Sequence, residues 1–140
     1  MNIVVIDGQG GRIGCMLVDA IKRALPQAAL TAIGTNALAT SAMLKAGASH
    51  AATGENPVIV ACQQADIIAG PIGIVLADAL LGEVTANMAA AVGRSRAEKV
   101  LVPLTSCGAF IAGLAPLSLG EYVELAIRQI VQLAENKPRS

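Results

Sequence analysis

The chain has 140 residues, 54% of them hydrophobic and only 14% charged, with a net charge of zero, one Phe, one Tyr and no Trp. That length supports a single domain with its own core, built from Ala, Val, Ile and Leu. Balanced charge and scarce aromatics exclude a nucleic-acid binder, which needs a Lys/Arg footprint and usually stacking rings.

In chain order, Asn2–Ile6 is a continuous apolar run of the kind found in a buried parallel strand. From Arg12 to Leu25 apolar residues recur at helical spacing until Pro26 ends the pattern. Leu30–Ile33 predicts a second strand, Asn36–Ala46 a helix closed by Gly47, and Ala48–Ala52 a short third strand. Asn56-Pro57 predicts a helix start, with Asn as cap and Pro in the first position, running to Gln63. Asp66–Ala69 predicts a fourth strand; Ile72–Leu81 and Thr85–Val92 read as helices stopped by Gly82 and Gly93. Val100–Leu104 is a fifth strand and Ala109–Ile111 a sixth. Ser118 and Glu121 have capping-box spacing ahead of a last amphipathic helix, and residues 137–140 read as a tail.

The alternation predicts one α/β domain over residues 1–136, Rossmann-like and doubly wound. Its mostly parallel sheet has five or six strands, with helices on both faces; if their order is 3-2-1-4-5, the end of the fourth strand faces the glycine turn. The most apolar run, Ile67–Ala77, contains Pro71 and is shorter than the ~20 residues of a membrane span, so no membrane contact is expected. No basic leader precedes the first strand. Cys15, Cys62 and Cys107 are odd in number and lack zinc spacing, which predicts a cytoplasmic protein with reduced thiols and no metal. Sparse charge leaves apolar surface to be covered, which predicts a homo-oligomer.

The stretch "DGQGGRIG" lies between the first strand and the first helix. A helix entered from such a turn aims its free N–H groups and the positive end of its dipole at the turn, and glycine lets a phosphate approach the backbone. Gly8, Gln9, Gly10, Gly11, Arg12 and Ile13 are the candidate phosphate-binding residues, with Arg12 as the neutralising cation and Gly14 allowing close packing. Asp7 reads as a turn-holding acceptor. The 8-11-14 spacing resembles the G-x-x-G-x-x-G fingerprint of extended short-chain dehydrogenases, which Gly8, Gly11, Ile13 and Gly14 match one by one. That resemblance implies NAD or NADP, with another nucleotide as the alternative.

Two further stretches fall at strand ends. "AIGTN" places Thr35 and Asn36 where dinucleotide folds read the ribose, although either residue also suits helix capping. "AGPIGI" places Gly70, Pro71 and Ile72 across the crevice from the glycine turn, where open α/β sheets bind ligands. Catalytic groups are few. The dehydrogenase Tyr-x-x-x-Lys pair is missing, since Tyr122 is followed four positions later by Ala126; His50 has no evident partner. Cys107, Asp7 and Thr105 are the remaining reactive candidates, while Glu55, Asp66 and Asp78 read as loop, cap or surface carboxylates. The stretches "IDGQGG", "GTNALAT" and "GPIGI" together resemble a small bacterial family, a domain of unknown function of about this length. The expectation is therefore a nucleotide- or dinucleotide-binding domain with its phosphate at the Gly8–Gly14 turn. A small enzyme acting on a phosphorylated or nucleotide substrate, or a non-catalytic assembly protein whose glycines only pack helices, are the alternatives.

Overall fold

The computed structural model describes residues 1–105 and 108–138. Five strands, β1 (Asn2–Asp7), β2 (Ala29–Gly34), β3 (His50–Thr53), β4 (Ile67–Pro71) and β5 (Glu98–Val102), form one parallel sheet in the order β3-β2-β1-β4-β5. Five helices connect and follow them: α1 (Arg12–Ala24), α2 (Ala37–Lys45), α3 (Glu55–Gln64), α4 (Ala86–Arg94) and α5 (Leu119–Asn136). The Rossmann-like, doubly wound architecture with strand order 3-2-1-4-5 is thus present.

Alternation along β1 divides the core. Ile3 and Val5 face one layer with Leu17 and Ile21 of α1, Met43 of α2 and Ile130 of α5. Val4 and Ile6 face the other, with Val58 of α3 and Met88 and Val92 of α4. Because β1 is buried on both faces, its sequence reads as an unbroken apolar run rather than an alternating one.

Helix ends follow local chemistry. Asn36 Oδ1 accepts from Ala39 N–H (2.8 Å) to cap α2, and Thr85 Oγ1 accepts from Met88 N–H (3.1 Å) to cap α4. At α5 the Ser118–Glu121 capping box forms in both directions, at 3.1 and 3.2 Å. Beyond α5, Lys137 pairs with Asp66, tying the start of the tail to the domain.

Three expectations change. α3 begins at Glu55 behind Gly54 (φ 107°), so Pro57 sits within the first turn, where its missing N–H has no helical acceptor to lose. Ile72–Leu81 is not a helix: only Ile72–Val75 makes a 3-10 turn, after which Asp78, Leu80, Leu81 and Gly82 take positive φ (67°, 57°, 57° and 87°). Its apolar residues serve tertiary packing instead, with Ile74 buried in the core. Ala109–Ile111 forms no strand; Gly108 and Gly113 bracket it at φ 77° and 78°, and Phe110 is fully exposed.

Candidate functional site

The carboxyl ends of β1, β2 and β4 meet at the switch point, where β1 leads toward β2 and the chain later returns to β4 on β1's other side. Asp7 ends β1 and is buried, with only 4% of its surface exposed. Its Oδ1 accepts from Gly8 N–H and its Oδ2 from Gly14 N–H, each at 2.7 Å. Gly14 is the third residue of α1, whose capping residue Gly11 has no side chain to offer. Asp7 therefore does from the strand what a capping side chain does, and its charge suits the helix's positive end. Burial pushes the Asp7 carboxyl above its ordinary range, against the two N–H bonds, and the nearby Glu83 pushes it the same way.

Three of the four glycines are used by the protein itself. A Cβ on Gly8 would collide with the Thr35 hydroxyl and the Leu80 side chain; one on Gly14 would lie 2.8 Å from Asp7 Cβ. Gly11 has φ 74° and lies against the backbone of Ala39 in α2. Only Gly10 has no atom of the structure within 4 Å of where a side chain would start. The turn itself is closed by Gly11 N–H bonding the Gly8 carbonyl at 2.9 Å.

Gln9, with φ 52°, is held by Asn36 Nδ2, which donates to its carbonyl at 2.9 Å. Gln9, Thr35 and Asn36 then converge on one group the sequence did not single out, the Glu83 carboxylate. Glu83 Oε1 accepts from Gln9 N–H (3.0 Å), Thr35 Oγ1 (2.7 Å) and Asn36 Nδ2 (2.6 Å), while Oε2 accepts from Gln9 Nε2 (2.8 Å). The same Gln9 amide also donates to the Leu80 carbonyl at 3.0 Å. Burial works to raise the Glu83 carboxyl, but these hydrogen bonds outweigh it and hold the group below the ordinary glutamate range. Thr35 and Asn36 are thus brought to the glycine turn, Asn36 while also capping α2. Glu83 lies 48 positions from Thr35 and 74 from Gln9, and no local motif marks it.

The other candidates divide. Arg12 is exposed on the first turn of α1, whereas the Ile13 side chain is buried in the core. Gly70 and Pro71 are buried at the end of β4, where Gly70 lies against the Ile6 carbonyl; its bareness serves the sheet. Ile72 is half-buried at the start of the 3-10 turn. Thr105 is exposed, His50 is exposed on β3, and Cys107 lies outside the described residues. Burial raises the Cys62 thiol to about 11 and also raises Cys15, so neither is a ready thiolate. Among the described residues no group of three His, Cys, Asp or Glu side chains is placed to hold a metal, and no helix is long and apolar enough to cross a membrane. An open groove of about 450 Å³ lies between α3 and α4 and another of about 500 Å³ at the amino-terminal edge of the sheet beside the end of α5; neither is lined by the glycine turn.

No curated protein matches the chain. A crystal structure described as a dodecameric FMN-dependent Ubix-like decarboxylase from Escherichia coli O157:H7 is similar at 17% identity, with a TM-score of 0.46, over 93% of this chain and 76% of that one. The nicotinamide cofactor expected from the glycine spacing, NAD or NADP, is corrected: the similar structure is FMN-dependent. The model of a domain of unknown function, DUF3842, matches residues 2–135, and the chain belongs to that family.

Proposed function

We propose that this chain binds a phosphate-bearing small molecule of the nucleotide class in the crevice at the ends of β1 and β2. One observation carries the reading: four donors from two separate segments, Gln9 N–H, the Gln9 amide, the Thr35 hydroxyl and the Asn36 amide, are aimed at a single anionic group. A constellation that holds a carboxylate with charge-assisted hydrogen bonds presents what a phosphate needs, since both offer several acceptor oxygens on a compact anion. Neighbouring features support it. The N–H groups of Arg12 and Ile13, at the first two helical positions, have no acceptor within α1. Arg12 supplies a cation at the mouth, and Gly10 leaves open the one approach that no protein atom uses. Gly8 and Gly11 shape the turn, and Gly70, Pro71 and Ile72 form the neighbouring wall.

The protein works as a homo-oligomer in this reading, supported by the exposure of Leu38 (69%), Leu81 (95%) and Phe110 (102%) in a chain with so little charge. A thermal-shift series with inorganic pyrophosphate, AMP, ATP, GTP, FMN and coenzyme A tests the binding. A ligand at 100 times its dissociation constant adds about 2.7 kcal/mol. A shift of several degrees with at least one of them is expected, and none with any of them, at millimolar concentration, rejects the reading.

A further inference from the structure

The side-chain donors of Gln9, Thr35 and Asn36 are already engaged. We propose that Glu83 is a built-in competitor for them: in the free protein its carboxylate, carried on residues 76–84, closes the crevice, and an incoming phosphate displaces it. The inference rests on the binding reading above and adds how the site is regulated.

Three observations carry it. The phosphate and the Glu83 carboxylate need the same donors, so the two are mutually exclusive: the Thr35 hydroxyl and the Gln9 N–H each have one hydrogen to give, and both give it to Glu83. The segment also covers the turn physically, with the Leu80 side chain over Gly8 and the Leu80 carbonyl bonded to the Gln9 amide. Finally, the covering conformation carries backbone strain, although five backbone hydrogen bonds within residues 76–84 support it. Asp78, Leu80 and Leu81 are three non-glycine residues in left-handed backbone, and Leu81 is 95% exposed at the tip. Ile74 and Val84, both buried, fix the two ends, so the tip can lift and the Glu83 side chain rotate away while the core stays intact.

Calorimetric titration of wild type, Glu83→Gln and Glu83→Ala with AMP and with inorganic pyrophosphate tests the inference. Hydrogen exchange of wild-type residues 76–84, with and without AMP, requires no variant at all. An affinity lowered by the closed fraction is restored when closure is removed, so the variants should bind about tenfold tighter or more, and AMP should speed exchange in 76–84. Equal affinities in all three proteins with unchanged exchange would overturn the competitor and leave the receptor standing. Weaker binding by the variants, with slower exchange in 76–84, would make Glu83 part of the ligand's own site and also overturn it. Binding by none of the three proteins would overturn the receptor itself, and the competitor with it.

Discussion

Gly70 and Gly73 lie in the same short stretch, and the structure assigns them opposite tolerances. Gly70 pairs with Leu101 of β5 on one side and lies against the Ile6 carbonyl of β1 on the other. A Cβ there would lie about 1 Å inside an ordinary C···O separation of about 3.3 Å. The clashing atom is backbone in the central strand, and Ile74 Cδ1 at 3.0 Å closes the other escape. Overpacking of a well-filled site costs about 1–3 kcal/mol, and a backbone neighbour that cannot rotate away puts Gly70→Ala near the top, at about 3 kcal/mol. For a chain of this length about 1 kcal/mol moves the melting temperature by about 3–4 °C, so the expected loss is about 10 °C. Gly73→Ala would meet Ala79 Cβ at 3.4 Å and Leu80 Cδ2 and Cγ at 3.7 Å, all ordinary contacts, and its backbone is not left-handed; it should stay within about 2 °C of wild type. Scanning calorimetry on the two variants decides it. Gly70→Ala melting with wild type, or Gly73→Ala melting as low as Gly70→Ala, would refute the packing argument.

Asp7 should leave a pH signature in urea denaturation. Its folded value is raised above 3.8, so its contribution is fully present below that value and is lost as pH rises through the folded one; wild type should therefore gain stability relative to Asp7→Asn as pH falls from 7 toward 4, and a parallel pair of curves would contradict this. Glu83 has the opposite sign, lowered from 4.5, so its hold on Gln9, Thr35 and Asn36 is complete above pH 4.5 and lost as pH falls through its folded value; hydrogen exchange of residues 76–84, corrected for intrinsic rate, should rise only in that acid window. Sedimentation should show a dimer or larger at micromolar concentration, shifted toward monomer by Phe110→Ser or Leu81→Ser, and a wild-type monomer would dispose of the oligomer.

Where the determinants were local, the fold was legible. The unbroken Asn2–Ile6 run, the Asn36 cap and the Ser118–Glu121 box each settle their element within a few residues. Ile72–Leu81 misled because helix-like apolar spacing there answers to partners elsewhere, Leu80 to Gly8 and Ile74 to the core. At the site, the glycine turn, Thr35 and Asn36 were visible as motifs, and the structure brings them together. Glu83 was not, because what gathers it to them is the return of the chain from β4, 48 positions beyond Thr35. The motif also suggested room for a phosphate at Gly8 and Gly11, whereas these lie against Thr35 and Ala39; Gly14, expected to allow close packing, does lie against Asp7 and Met43.

That leaves Gly10 as the residue through which the central claim is tested most directly. Its side-chain position is open and its backbone is outside the left-handed region, so Gly10→Ala should fold as well as wild type or gain about 0.4–1 kcal/mol through a less flexible unfolded chain. If a phosphate uses the turn, the added methyl group stands in its approach. Titration of wild type and Gly10→Ala with the strongest binder among pyrophosphate and the nucleotides should then show affinity falling about tenfold or more, about 1.4 kcal/mol, with the melting temperature held. Equal affinity in a folded Gly10→Ala protein would place the ligand elsewhere and contradict the account.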